Sequence, residues 1–213
     1  LHPEARHPNF AADTEEPVRK AIHEHEDFPI LENLMSVDDL LESMERNGVE
    51  KCIIMGLSWL DPDIQDANNE FIANTVARHP NKFRGMYIPN LDDIQRAKRE
   101  IESLDPRSFI GVKLIPGWQQ VRIDDNSLEP MIDALKKQDL FLMVHTDHLT
   151  QSLDGDFPYR LLSFLRNHPD VNLLAPHLGG LLCLYALDDR IEPLIENTYF
   201  ITSVSSTMDM VQF

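Results

Sequence analysis

The sequence predicts an α/β fold, a (β/α)8 barrel of the TIM type that is incomplete, and three observations predict it. Short apolar runs without polar alternation read as strands of a parallel sheet covered on both faces. Each run follows a segment of helical periodicity, and this alternation implies βαβ units with right-handed crossovers. No GxGxxG or GxxxxGK[ST] phosphate loop occurs, which disfavours an open nucleotide-binding sheet. The runs make six strands in 213 residues, about two fewer than a barrel that typically takes ~250 residues. The first and last strands are therefore expected to be lacking.

Residues 1–35 are rich in proline, histidine and acids and hold no useful period, so they are expected to form a loop region ahead of a single partial-barrel domain at 36–213. Ser36 and Asp39 resemble a capping box, Val37, Leu40, Leu41 and Met44 recur at helical spacing, and Gly48 ends that helix. The run KCIIMGL at 51–57 is the first strand. A helix over 68–79 stopped by Pro80 leads to a strand at 83–88, and a helix over 92–104 stopped by Pro106 leads to a strand at 109–115. A helix over 127–138 precedes a strand at 140–145, and a helix over 159–168 precedes Pro169 and a strand at 171–175. A last helix near 188–196 leads to a strand at 199–204.

Composition narrows the function classes. Against 36 acidic side chains stand 19 basic ones, a net charge of −17 with no basic run, which speaks against a nucleic-acid partner. The longest apolar stretches are strand-sized, well short of the ~20 residues that span a bilayer, so no membrane partner is expected. Cys52 and Cys183 are the only cysteines. Two exclude a disulfide framework or a four-cysteine zinc site and fit a reducing, cytoplasmic setting. No targeting signal is visible from Leu1 onward. Apolar sheet edges left by lacking strands would favour a homo-oligomer.

In a barrel the chemistry sits at the C-terminal ends of the strands. His145 closes the run LFLMVH and His177 follows LLAP, so two imidazoles would point into one mouth, as a divalent metal needs from neutral nitrogen donors. The alternative is that each imidazole caps its strand by bonding a loop carbonyl. Lys113 lies within the apolar GVKLIP and needs a carboxylate, a substrate anion or water as partner, unless its stem carries the ammonium to the rim. Gly179 and Gly180 after His177 suit a tight turn or a close backbone approach to a ligand. Asp124 and Asp125 read as a helix start, and Asp147 with His148 as loop.

The order and spacing of five phrases resemble the amidohydrolase superfamily, in the branch of metal-dependent hydrolases and aminocarboxymuconate-semialdehyde-decarboxylase-like enzymes. They are SVDDLLESMERNGVEKC from Ser36, NNEFI from Asn68 with RHPNKFRG from Arg78, GVKLIP from Gly111, FLMVHT from Phe141 and APHLGG from Ala175. The resemblance implies a His-x-His pair on the first strand, a histidine after the fifth, another after the sixth and an aspartate after the eighth. His145 matches the fifth-strand position and His177 the sixth. His2, before Pro3, matches the second member of the pair, and His23-Glu24-His25 is a rival, set back because 17–22 make a poor buried strand. The eighth-strand aspartate has no counterpart.

By that resemblance His2 and His145 hold a divalent metal, zinc first and manganese second, with His177 as a further ligand or as the acid/base. Lys113 would meet an anionic small-molecule substrate, and Trp59 and Trp118 would shape its pocket. The implied activity is hydrolysis of an amide, lactone or ester carbonyl through a metal-activated water. A non-oxidative decarboxylase, a lyase on the same fold, is the alternative, and a non-catalytic binding module is the second.

Overall fold

A computed structural model describes residues 36–146 and 158–202. Within them six strands run β1 (Cys52–Ile54), β2 (Phe83–Tyr87), β3 (Phe109–Leu114), β4 (Phe141–Val144), β5 (Leu173–Ala175) and β6 (Thr198–Phe200). Every neighbouring pair is parallel and the spatial order is the chain order. A doubly wound sheet reverses its order at a switch point. Strictly sequential order with right-handed crossovers instead keeps all helices on one face, the winding of a barrel.

Each helix starts where a side chain satisfies its first amides. In α1 (Val37–Arg46) the capping box is complete, with the Asp39 amide donating to Ser36 Oγ at 3.1 Å and the Ser36 amide to Asp39 Oδ2 at 2.9 Å. α2 (Pro62–Arg78) begins well before residue 68, because Asp61 caps the amides of Asp63 and Ile64 and Pro62 supplies a preset first turn. Its period is hard to read since Gln65, Asn68, Asn69 and Thr75 are buried beside Ile72 and Val76. Asp93 caps α3 (Ile94–Glu102). A short α4 (Pro116–Gln119), unforeseen in the sequence, follows β3. Asp125 accepts from Ser127 N at 2.8 Å and opens a 3-10 turn that leads into α5 (Glu129–Lys137), so Asp125 starts the helix, while Asp124 pairs with Arg122 at 3.2 Å and Arg160 at 3.3 Å. α6 (Pro158–Asn167) completes the set.

The helix expected near 188–196 is not α-helical. Asp188 takes the backbone amide of Arg190 at 3.0 Å and its guanidinium at 2.6 Å. Such local bonding competes with a helix, and Pro193 has no amide to give, so only a 3-10 turn at Glu192–Leu194 forms. Residues 203–204 of the last expected strand lie outside the described residues, as do residues 1–35.

Alternation divides the sheet into two faces. Phe83, Val112, Leu114, Leu142, Val144, Leu173 and Ala175 join the main core. Met86, Met143 and Leu174 form a second cluster with Met55, Ile110, Phe141 and Ile201, the lining of the barrel interior. Gly111 sits where the two approach, and a β-carbon there would fall 2.4 Å from the Phe141 carbonyl oxygen and 2.8 Å from Met86 Cε. Backbone cannot yield as a side chain can. Gly111→Ala is therefore expected to lower stability by ~1–3 kcal/mol, read from the urea midpoint at unchanged slope.

Candidate active site at the strand ends

The C-terminal ends of the first three strands are fastened by carboxamides. Asn69 on α2 takes Ile88 in both directions, donating from Nδ2 to its carbonyl at 2.7 Å and accepting its amide on Oδ1 at 3.1 Å. Gln119 on α4 accepts the Ile115 amide at 2.8 Å and donates to the Pro89 carbonyl at 2.9 Å. Gln65 accepts the Trp59 amide at 2.9 Å, and Asn90 donates to the Leu60 carbonyl at 2.7 Å. These amides take backbone groups that a longer ladder would otherwise satisfy, which is why β2 and β3 stop at Tyr87 and Leu114 although Ile88 and Ile115 are apolar. None of the four carboxamides was foreseen from the sequence; only the Asp61-Pro62 helix start could have placed Gln65 and Asn69 on one buried face.

Within this frame Lys113 and His145 come to the same mouth. Lys113 is 3% exposed and pairs in register with Met143, an interior residue. His145, two residues beyond Met143, continues that face, and its amide donates to the Leu114 carbonyl at 2.9 Å. Lys113 is buried rather than carried out to the rim. Burial pushes the His145 imidazole down to about 3, with the Lys113 charge and then His177 adding to the effect. At neutral pH that ring is uncharged and keeps a lone pair for a ligand.

His177 completes the group, its ring centroid 4.9 Å from that of His145 with the planes at 75°. It sits in a run of five left-handed residues, His177 (φ +55°), Leu178 (+55°), Gly179 (+69°), Gly180 (+56°) and Leu181 (+79°). Left-handed backbone costs about 1–2 kcal/mol at each non-glycine position. Such a turn persists only where its surroundings determine it. Gly179 N donates to the Pro176 carbonyl at 2.9 Å, Gly180 N to that of His177 at 3.1 Å, and Leu178 N to Ile201 beyond β6 at 3.0 Å. A β-carbon on Gly179 would meet Leu182 Cβ at 2.8 Å and Phe200 Cε1 at 3.1 Å, so this glycine serves both the backbone angle and the close approach.

Trp59 and Trp118 follow β1 and β3 and pack together with Leu57 and Ile64 in a small cluster of their own, Trp59 being 2% exposed. His2, His23, His25, Asp147 and His148 lie outside the described residues. Among the described residues no group of three histidine, cysteine or acidic side chains is gathered for a metal. The pair His145 and His177 thus offers two nitrogen donors of the chemistry zinc or manganese accepts, short of the three protein ligands usual in a catalytic site. No helix among the described residues is long and apolar enough to cross a membrane.

Comparison with solved structures finds the same fold. A 5-carboxyvanillate decarboxylase from Novosphingobium aromaticivorans, complexed with manganese and 4-hydroxy-3-methoxy-5-nitrobenzoic acid, superposes with TM-score 0.62 at 21% identity, covering 78% of this chain and 56% of that one. The 5-carboxyvanillate decarboxylase of Sphingomonas paucimobilis gives 0.66 at 17%, covering 87% and 71%. The 2,6-dihydroxybenzoate decarboxylase of Rhizobium gives 0.67 at 15%, covering 85% and 74%. The chain therefore spans between about half and three quarters of these relatives. No curated protein matches its sequence significantly. The amidohydrolase family profile matches residues 26–190, a span that holds all five strands from β1 to β5 together with Lys113, His145 and His177. With sequential parallel strands, histidines at two neighbouring strand ends and that match over most of its length, the chain belongs to the amidohydrolase family.

Proposed function

We propose that this chain carries out metal-dependent, non-oxidative decarboxylation of a hydroxylated aromatic carboxylic acid. The observation that carries the reading is the buried Lys113 ammonium beside an imidazole held neutral, at the mouth of the barrel. Positive charge set at the mouth attracts an anionic substrate group, and a carboxylate is one. The likeness to decarboxylases of 5-carboxyvanillate and 2,6-dihydroxybenzoate supports the same substrate class and favours this reading over hydrolysis of an amide, lactone or ester.

His145 would hold the divalent ion, with His2 proposed as a further donor. A bound ion supplies charge neutralisation at substrate oxygens. Because His145 is neutral it has no proton to give, and proton transfer falls to His177 beside it. Lys113 would bind an anionic group of the substrate, and Trp118 would flank the ring. As the ring-to-carboxylate bond breaks, its electron pair stays on the ring carbon, CO2 leaves, and that carbon takes the proton from His177.

The test incubates the full chain and Mn2+ with hydroxybenzoates, including 5-carboxyvanillate and 2,6-dihydroxybenzoate, in D2O, beside a panel of aryl esters and lactones. The expected result is CO2 release with one deuterium on the ring carbon that lost it. Turnover of an ester or lactone without CO2 release would replace decarboxylation with hydrolysis.

A further inference from the structure

From the bonding between the two histidine-bearing strand ends we infer that Thr146 is a positioning residue that sets the His145–His177 geometry, an inference resting on the metal-site reading above. Thr146 is 1% exposed and directly follows His145. Its hydroxyl donates to the carbonyl of Pro176, the residue directly before His177. One side chain thus ties the backbone next to one imidazole to the backbone next to the other. The same Pro176 carbonyl accepts the Gly179 amide at 2.9 Å, the bond that closes the left-handed turn carrying His177. From the other side Leu178 N reaches the Ile201 carbonyl at 3.0 Å, and Ile201 N reaches that of Ala175 at 3.0 Å. The turn is gripped on the β6 side by backbone hydrogen bonds and the close approach of the Phe200 ring to Gly179, and on the β4 side by this hydroxyl.

Thr146 is given no contact with metal or substrate. Its effect on Mn2+ passes through the adjoining His145, which would hold the ion, and its effect on the ring pair through His177, whose positive φ is a conformation the residue would leave if one grip were released. Valine has the shape of threonine without the donor, and the Pro176 carbonyl would keep its Gly179 partner, so Thr146→Val removes the tie without orphaning a buried group. Outer-shell partners of metal ligands typically govern 10–100-fold in affinity.

The experiment compares full-length wild type, Thr146→Val and Thr146→Ser with Mn2+ alone as probe, reading free Mn2+ by electron paramagnetic resonance. It also records inter-ring nuclear Overhauser contacts between His145 and His177 in the metal-free proteins. Thr146→Val is expected to bind Mn2+ roughly 10–100-fold more weakly and to lose the inter-ring contacts, with the thermal midpoint of the metal-free protein little changed. Thr146→Ser is expected to restore both. Wild-type affinity and contacts in Thr146→Val, or a serine variant as impaired as the valine one, would overturn the inference. Should wild type itself bind no Mn2+, the metal reading falls, and the inter-ring contacts in the metal-free variants still decide the role of Thr146.

Discussion

Replacing His145 by alanine is expected to abolish Mn2+ binding and turnover together while the fold survives. The ring is buried enough that its titration is pushed down to about 3, so its nitrogen lone pair is available at any physiological pH without displacing a proton. Losing a direct donor should weaken metal affinity by more than the ~100-fold upper range seen for outer-shell partners. The backbone bond from the residue 145 amide to the Leu114 carbonyl does not involve the ring and remains in the variant. Circular dichroism and a thermal scan establish folding, and equilibrium dialysis with Mn2+ gives the stoichiometry. A folded His145→Ala that keeps the wild-type metal content would reduce the two imidazoles to strand caps.

How much of this was legible beforehand follows from where the controlling physics is local. Apolar runs at 52–54 and 141–144 announce buried strands because a parallel sheet covered on both faces needs no polar alternation. Capping at Ser36 and Asp39 is legible because both partners lie within one helical turn. The ends of β2 and β3 were not legible, since Asn69 and Gln119 reach 19 and 30 residues along the chain to the carbonyls they hold. The 3-10 turn at Glu192–Leu194 was missed for the opposite reason, as a two-residue Asp188–Arg190 interaction outweighs weak helical periodicity.

The site divides in the same way. His145, His177 and Lys113 stand out because each interrupts or closes an apolar run, and a polar group at such a position must be accounted for. The left-handed path from His177 to Leu181 is hidden, because Gly179 and Gly180 suggest a turn while His177, Leu178 and Leu181 argue against positive φ. Pro176, Gly179, Ile201, Phe200 and the Thr146 hydroxyl, distant in the chain, impose it together.

Lys113→Met should separate the electrostatic part of the site from its metal chemistry. Methionine fills a similar volume and lies naturally beside Met143, so the variant should fold and still bind Mn2+ through His145. It should lose the charge that meets the substrate anion. Removing one partner of a desolvated charge pair costs roughly 2–5 kcal/mol, so KM for a hydroxybenzoate is expected to rise by at least ~30-fold. The same change acts on His145, whose imidazole the Lys113 charge helps to hold near 3 against an ordinary 6.5. In metal-free wild type the unfolded chain binds the His145 proton between those values and the folded chain does not. Stability contributed at this residue is therefore full above about 6.5 and is lost as pH falls towards 3, with a slope of up to about 1.4 kcal/mol per pH unit. Taking away the ammonium raises the folded-state value, so the loss should end at a higher pH and be smaller in total in Lys113→Met. Urea titrations from pH 7 to 4, each referenced to His145→Gln to cancel the carboxylates, read this difference. Identical profiles for wild type and Lys113→Met would show that the ammonium does not act on His145, and an unchanged KM would remove it from substrate binding.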